Sequence, residues 1–551
     1  MSTRGGAWSL LPGKPELMSL ARSPRHDLVA GVTVAIVALP LALGFGIASG
    51  LGAAAGLVTA IVAGAVAAVF GGSSLQVSGP TGAMTVVLVP IVAVHGPAGV
   101  LTVGLMAGVL LIGLALARAG RYMRYVPVPV VEGFTLGIAG VIALQQIPAA
   151  LGVPTPHGEQ IALVAVRAVA DFAGHPNWRA VALSVGVALV MLVGGRWRPK
   201  VPFSLIAVVA ATLVVWAADL PVARIGALPS TLPLPSLGFL DPSTLTALVP
   251  SAVAVAALAA LESLLSATVA DAMSIDEHHD PDKELFGQGL ANLVTPLFGG
   301  VPATAAIART AVNVRAGARS RLAALSHALV LAVIVFTAAP LVGAIPIAAL
   351  AGVLLATAIR MVEVGAVLAL LRSTRSDALV LVLTAVTTLA LDLVTAVIVG
   401  LVVAGGLALR TIAGTARLEQ VDLDHSHHAQ EEQALLAEHI VAYRLDGPLF
   451  FAAAYRFLLE LTEIADVKVV ILRMSRVSTI DATGALVLRD VIGRLEHRGI
   501  AVLVSGVKPG HERVLDALGL ATRLGDLGRV FASTPEAIEH ARVLLHQHDD
   551  C

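Results

Sequence analysis

Charge is scarce in this chain. Asp, Glu, Lys and Arg make up 13% of its 551 residues, whereas hydrophobic residues make up 57% and the mean hydropathy is +0.88. Soluble domains carry about 25% charged residues. The apolar runs have the length of spanning helices, which is about 20 residues. The composition therefore excludes a purely soluble protein and predicts a polytopic α-helical membrane protein.

Cysteine, net charge and aromatic residues are also scarce. The only cysteine is Cys551, which excludes an intrachain disulfide and a cysteine-based metal site. The formal net charge of -1 argues against a nucleic-acid partner. The sequence holds no G-x-x-x-x-G-K-[ST] phosphate loop, which argues against an ATP-driven pump, and no cofactor is expected. With aromatics at 4%, the 52 glycines predict closely packed helices.

The composition changes after Arg410, where ordinary charge and alternating strand and helix patterns begin. We expect an N-terminal segment over 1–27, a transmembrane domain over 28–414, a polar linker over 415–437 and an α/β domain over 438–547. Counting short half-helices, the transmembrane domain holds about 14 segments. The strands "KVVILRM" and "IAVLVSG" are continuous apolar runs, as in a sheet that helices cover, and Asp481 is placed to cap the helix after "TI".

The basic residues between the apolar runs fall on alternate sides. By the positive-inside rule the richer side is cytoplasmic, which places both termini in the cytoplasm of a multi-pass protein of the cell membrane. The richer set is Arg22, Arg25, Arg118, Arg121, Arg124, Arg196, Arg198, Lys200, Arg315, Arg319, Arg321, Arg372, Arg375 and Arg410.

Two apolar runs are interrupted in matching ways, over Phe70–Leu88 and over Phe298–Thr310, and both begin with "FGG". In lipid, a broken helix is tolerated only where protein or water surrounds it. Paired breaks suggest an inverted repeat with a binding site where they meet. Pro80 and Pro302 suit the first turn of a half-helix, and two helix N-termini facing each other would bind an anion. The alternative is a pair of kinked packing helices.

Glu262 lies well inside an apolar run, where a carboxylate is costly and therefore suggests a function. Ser266 follows four residues later on the same helix face. Together they would hold a proton or a cation, and a nearby anion would favour the protonated carboxyl. Alternatively, Glu262 pairs with Arg309, which would otherwise support the anion or extend to the membrane surface.

Two weaker signals lie outside the membrane runs. The stretch Asp424–His428, "DHSHH", holds metal-ligand types but sits in the polar linker, so we expect no metal there. The C-terminal domain shows no catalytic constellation, which predicts a regulatory or dimerising module and no enzyme.

Four stretches together resemble the SulP family of anion transporters (solute carrier family 26). They are "VALPLALGFGIASGLGAAAGL", "SGPTGAMTV", "LESLLSATVADAM" with the following "GQGLANLVTPLFGGVPATAAIARTAVNVRAG", and "IDATG" in a domain similar to STAS domains. The resemblance implies a seven-plus-seven inverted repeat like that of the uracil transporter, divided into a core and a gate. It also implies a homodimer and elevator-like transport of inorganic anions or small carboxylates.

The resemblance also implies site residues at matching positions. Leu41 and Phe45 would line the pocket, although many members carry Gln where this chain has Leu41. Glu262 and Ser266 match the coupling-ion positions, and Ile307 replaces a Thr of sodium-coupled members, which favours protons over sodium. Thr483 matches the phosphorylated residue of switch-like STAS domains. The remaining expected substrate residues are Gly79, Pro80, Thr81, Gly82, Ala305, Ala306 and Arg309.

The sequence therefore predicts a secondary active, proton-coupled transporter of inorganic anions, with sulfate first, bicarbonate next and a dicarboxylate third. Sodium coupling is the alternative for the co-transported ion. Two other functions stay open: a membrane-anchored STAS signalling protein, which would not need Glu262, and a nucleobase transporter on the same fold. Expected partners are the anion with H⁺ or Na⁺, membrane lipid and a second copy of the chain.

Overall fold

The computed structural model describes residues 10–13, 23–156, 160–198, 201–274, 278–391, 393–415, 417–420, 439–450 and 467–549. The chain divides into two compact units, residues 1–402 and residues 403–551. The first unit is helical apart from two very short strands, and the second combines a sheet with helices. The Asp424–His428 stretch lies outside the described residues.

The helical part of the chain, up to Thr415, contains the same order of elements twice. The first set is α1 (Pro24–Ala48), α2 (Ala53–Phe70), β1 (Ser78–Gly79), α3 (Gly82–Leu116), α4 (Val128–Leu151), α5 (Ile161–Gly174), α6 (Trp178–Trp197) and α7 (Phe203–Ala217). The second set is α8 (Leu245–Met273), α9 (Pro281–Val294), β2 (Thr304–Ala305), α10 (Ile307–Arg315), α11 (Leu322–Gly343), α12 (Ile347–Met361), α13 (Val364–Ser373), α14 (Arg375–Ala390) and α15 (Leu393–Thr415).

The two sets differ in one place, where α3 corresponds to both α10 and α11. The helix α3 bends at Gly96, whose φ is 65°, and Pro97 follows directly. A bend of this kind leaves a half-helix on one side, as the break between α10 and α11 does in the second set. This duplicated order agrees with the predicted repeat. Within the described residues, nine helical stretches are long and apolar enough to cross a membrane, one of them α12 and α13 taken together. The count of about 14 segments, which includes shorter helices, stays a prediction.

The helices of the first unit pack mainly in two groups, α1–α3 with α8–α11 and α4–α7 with α12–α14. Small residues allow the close approach inside the first group. A Cβ atom on Gly56 of α2 would lie 2.8 Å from the Cα atom of Gly46 in α1, which leaves room only for glycine. The two groups correspond to the predicted core and gate, and we call them the core group and the gate group.

The second unit is an α/β domain. Its strands are β3 (Arg417–Gln420), β4 (Ile440–Leu449), β5 (Val469–Arg473), β6 (Val477–Ile480), β7 (Ala501–Ser505) and β8 (Val530–Phe531). Its described helices are α16 (Ala482–His497), α17 (Pro509–Ala517), α18 (Leu520–Asp526) and α19 (Thr534–Asp549). The sheet order is β3-β4-β5-β7-β8, with β6 beside β4, and only the β3–β4 pairing is antiparallel.

Helices cover both faces of this sheet, so the predicted apolar strands are confirmed as β5 and β7. Val470 and Val502 pack towards α16–α18, whereas Ile471 and Leu503 pack towards α19. The alternation follows the period of two along a strand. Asp481 caps α16 as predicted, because its Oδ1 accepts a 2.7 Å hydrogen bond from the Gly484 N–H.

Candidate functional site

The two interrupted segments meet in the core group. Ser78 pairs with Ala305, and Gly79 pairs with Thr304, in a two-stranded antiparallel ladder. The helices α3 and α10 begin at Gly82 and Ile307, just after these strands. The ladder therefore brings two helix N-termini, with their partial positive charge, to one place.

Both prolines lie earlier than the sequence suggested. Pro80 precedes the N-cap of α3, and Pro302 precedes β2, five positions before α10 begins. The reason is that the chain continues as a strand through Gly79 and Ala305 before it turns into a helix. A proline placed here interrupts the preceding helical run without removing a hydrogen bond from the half-helix.

Thr81 joins the start of α3 to α8. Its Oγ1 accepts a hydrogen bond from the Met84 N–H at 3.3 Å and donates one to Glu262 Oε2 at 2.8 Å. Intrahelical bonding gives no partner to the N–H groups of Gly82 and Ala83 in the first turn. Donors and a carboxylate thus lie side by side at this helix end.

Arg309 places a positive charge between the two segments. Its side chain is 1% exposed, and its Nη2 donates a 2.7 Å hydrogen bond to the Pro80 carbonyl. Its buried Nη1 has no hydrogen-bond partner among the described residues. A Cβ atom on Gly79 would overlap Nη1, so this glycine leaves the room that the guanidinium occupies. Burial at 1% rules out the suggestion that Arg309 extends to the membrane surface.

Glu262 and Arg309 interact electrostatically, but the side-chain hydrogen bonds that the structure describes for them go to different groups. Glu262 is half-buried and accepts from Thr81, whereas Arg309 binds the backbone of Pro80. Carboxylate and guanidinium thus both hydrogen-bond to the residues just before the α3 N-terminus.

Ser266 hydrogen-bonds to the second interrupted segment. Its Oγ donates a 3.0 Å hydrogen bond to Thr310 Oγ1, which also accepts from the Val77 N–H at 3.2 Å. Ser263, which the sequence reading missed, hydrogen-bonds Thr304 Oγ1 at 3.0 Å and accepts from the Ala305 N–H at 3.3 Å. The spacing of Ser263 and Ser266 on one helix face was an available signal.

The residues expected to line the site differ in solvent exposure between the α3 end and the α10 end. Leu41 and Phe45 are each 6% exposed, and Thr81 is 5% exposed. At the α10 end, Ala305 is buried, Ala306 is partly exposed and Ile307 is 36% exposed. The start of α3 is therefore closed, while the first turn of α10 is accessible.

Three polar side chains on α9 hold the interrupted segments, and the sequence reading did not single them out. Glu284 is 2% exposed and accepts from the N–H groups of Gly72 and Ser73 at 2.9 and 3.1 Å. The Gln288 amide donates to Glu284 Oε1 at 3.0 Å and to Ser78 Oγ at 2.5 Å. Glu284 thus satisfies the backbone of the "GGSS" stretch, and Gln288 links it to β1.

Asn292 does the same for the second segment. Its Oδ1 accepts from the Ala303 N–H at 2.8 Å, and its Nδ2 donates to the Ala303 carbonyl at 2.9 Å. Glu284, Gln288 and Asn292 are spaced by four residues and so share one face of α9. Three buried polar residues at that spacing in an apolar region were the signal that could have found them.

Thr483 belongs to the second unit, where it lies in the first turn of α16 beside the Asp481 cap and is partly exposed. Among the residues that the structure describes, no group of three or more His, Cys, Asp or Glu side chains could hold a metal ion.

A family model supplies the identification. The model of the sulfate permease family matches residues 25–384. The chain belongs to the sulfate permease family. A STAS domain model matches residues 433–537. The predicted combination of a SulP membrane domain with a STAS domain is therefore confirmed, and the family is one of transporters and not of enzymes.

Individual relatives agree with this assignment. The chain is 35% identical to "Putative sulfate transporter YvdB" of Bacillus subtilis over 513 aligned residues. The alignment covers 91% of this chain and 95% of the relative. The chain is 31% identical over 549 residues to the bicarbonate transporter BicA of Synechocystis sp., which covers 96% of both chains. The murine solute carrier 26 family member A9 structure has a TM-score of 0.83 at 17% identity, covering 98% of this chain and 96% of that chain. This last likeness shows the shared fold alone, a multi-pass membrane fold.

Proposed function

We propose that this member of the sulfate permease family is a secondary active transporter of inorganic anions, with sulfate as the leading substrate. One observation carries the proposal: the N-termini of α3 and α10 meet through the β1–β2 ladder beside the buried Arg309, whose Nη1 makes no hydrogen bond within the described part of the chain. Backbone N–H groups, helix dipoles and a guanidinium donor together form an anion site. A passive anchor for a STAS domain would have no use for them.

Bicarbonate is the second candidate. The relatives include one named as a sulfate transporter and one named as a bicarbonate transporter at similar identity. A tetrahedral dianion and a planar monoanion both accept hydrogen bonds from helix N-termini, so this geometry supports either. A small dicarboxylate is the third candidate. A nucleobase is disfavoured, because the position near the pocket that would need an amide or carboxylate is Ile307.

Glu262 is proposed to carry the co-transported proton. It is half-buried, hydrogen-bonded to Thr81 and adjacent to the anion-binding end of α3. Protonation would remove a negative charge that repels the anion. Sodium is the alternative, but Ser266 is engaged with Thr310, and Ile307 supplies no oxygen ligand. Of the positions expected to hold sodium, Ser266 is thus engaged and Ile307 has no oxygen, which favours the proton.

The transport cycle is proposed to be elevator-like, with the core group moving against the gate group. Each group packs mainly within itself, and the two helix N-termini and Arg309 that are proposed to bind the anion belong to the core group. The distribution of basic residues supports cytoplasmic N- and C-termini. A homodimer, the domain limits 1–27, 28–414, 415–437 and 438–547, and phosphorylation at Thr483 remain proposals.

Uptake into proteoliposomes tests the proposed function. The purified chain is reconstituted, and uptake of radiolabelled sulfate and bicarbonate is followed under an inward proton gradient, with protein-free liposomes as the control. Accumulation of at least one anion is expected. Lack of movement for sulfate, bicarbonate and a dicarboxylate, under both proton and sodium gradients, would refute the proposal.

A further inference from the structure

A side chain of the gate group covers the closed end of the candidate site. Ile142 of α4 is 1% exposed. A Cβ atom on Gly82, the first residue of α3, would lie 2.9 Å from Ile142 Cγ1 and 3.1 Å from Phe45 Cε1, and it would overlap Ile142 Cδ1. Ile142 and Phe45 therefore lie directly on the first turn of α3, where the anion is proposed to bind.

The gate group makes a comparable contact from its second half. A Cβ atom on Gly44 of α1 would lie 2.9 Å from Cδ1 of Leu354 in α12, and Leu354 is also 1% exposed. In the duplicated order of elements, α12 corresponds to α4. In each half of the gate group, then, a bulky aliphatic side chain fits against a glycine of a helix that lines the site. The two contacts are not equivalent in the duplicated order, because α1 corresponds to α8, but both place an aliphatic side chain of the gate group against a glycine of the core group.

We propose that Ile142 is a specificity-determining residue that limits the size of the anion at the α3 N-terminus. This inference rests on the proposed anion transport. Any anion hydrogen-bonded to the N–H groups of Gly82 and Ala83 must fit beneath the Ile142 side chain, because Phe45 and Leu41 close the same side and are each 6% exposed. The open first turn of α10 imposes no such limit, since Ile307 is 36% exposed.

The test removes a single methyl group at this contact. Ile142→Val deletes Cδ1, the atom of Ile142 that lies closest to Gly82. Ile138→Val is the matched control, because Ile138 lies one turn earlier on α4 and is 2% exposed. Uptake of sulfate and of the larger anion succinate is measured for the full chain in proteoliposomes. One methylene changes selectivity about 10-fold or more in a tight apolar pocket.

The expected result is a rise in the succinate-to-sulfate uptake ratio, by roughly tenfold for Ile142→Val and further for Ile142→Ala, with the ratio of Ile138→Val within about twofold of the parent. Thermal stabilisation of the detergent-solubilised variants by each anion should move in the same direction, which separates binding from transport.

If the succinate-to-sulfate uptake ratio is unchanged in Ile142→Val, the inference is overturned. The proposed function still stands in that case, provided that the parent takes up sulfate. An equal rise in Ile138→Val would also overturn it, since the effect would then come from loosening α4 in general. If neither the parent nor any variant moves an anion, the proposed function itself fails. Because Ile→Val is a small change, the test does not depend on folding of the alanine variant.

Discussion

The hydroxyl of Thr81 donates a 2.8 Å hydrogen bond to Oε2 of Glu262. The N-cap of α3 and the carboxylate of α8 are thereby one hydrogen-bonded unit at the end where the anion is proposed to bind. A change in the charge of Glu262 would alter the hydrogen bonding of the Thr81 hydroxyl, which also accepts a hydrogen bond from the Met84 N–H in the first turn of α3. This contact links the proposed coupling ion to the proposed substrate.

Glu262→Gln is expected to keep anion binding and to lose the response to a pH gradient. The glutamine carbonyl can accept the Thr81 hydrogen bond, so the geometry is preserved, but the side chain no longer takes up a proton. Parent uptake should rise as the external pH falls, and Glu262→Gln uptake should be flat over the same range. Accumulation by Glu262→Gln with an unchanged pH response would place the proton elsewhere. Uptake that follows sodium at fixed pH would identify Glu262 as a cation ligand.

Thr81→Ala is expected to weaken both the α3 N-cap and the Glu262 contact. Losing a threonine N-cap costs about 0.5–2 kcal/mol of stability, and the freed carboxylate is no longer held at the helix end. Thr81→Ser is the matched control, because its hydroxyl can make both hydrogen bonds. The prediction is lower anion uptake for Thr81→Ala at equal protein amounts, with Thr81→Ser close to the parent. Equal loss in both variants would point to the methyl group and against the hydroxyl.

Arg309→Lys is expected to lower anion affinity even though the positive charge is kept. Arginine can bind the Pro80 carbonyl through Nη2 while Nη1 remains available, and a lysine ammonium lacks this planar fork. A lost hydrogen bond to a charged group is worth about 1.5–3 kcal/mol. Binding titrations with sulfate or bicarbonate measure the change, and an Arg309→Lys variant with parent affinity would show that charge alone suffices.

Glu284→Gln is expected to disturb the anion site from a distance. Glu284 accepts two backbone N–H groups of the "GGSS" stretch, and its partner Gln288 binds Ser78 in β1. Replacing the carboxyl acceptor by an amide should lower the free energy of unfolding by about 1–3 kcal/mol and should also reduce anion affinity.

Asp27→Asn is the control for that variant. Asp27 is fully buried and accepts from the N–H groups of Arg319 and Ser320 at 2.7 and 3.1 Å, in the connection between α10 and α11. Asp27→Asn should lower the melting temperature, and it should reduce anion affinity less than Glu284→Gln does. Equal effects of the two variants on affinity would show that Glu284 acts only through overall stability.

The interrupted segments and Glu262 could be found from the sequence because each breaks a rule of apolar helices. Glycine, serine and proline within a membrane run, or a carboxylate inside one, are costly unless the fold uses them. Family resemblance then supplied the positions of Leu41, Phe45 and Ile307, which nothing in the apolar pattern distinguishes.

Other features depend on which elements meet in space. The partner of Ser266 is Thr310, 44 residues away, so spacing along α8 could not reveal it. Ile142 is one aliphatic residue among many on α4, and only its contact with Gly82 gives it significance. Glu284 and Gln288 are polar residues of a short helix, and their role shows only because α9 packs against α2 and α3.

Thermal stabilisation of the purified full chain by anions tests the central claim most directly, because a ligand that binds only the folded state raises its apparent stability. Sulfate, bicarbonate, a dicarboxylate and uracil are titrated against the parent and Arg309→Gln at two pH values. The account predicts saturable stabilisation of the parent by sulfate or bicarbonate, stronger at the lower pH for sulfate, and its loss in Arg309→Gln. Stabilisation by uracil alone, or equal stabilisation of the parent and Arg309→Gln, would contradict it.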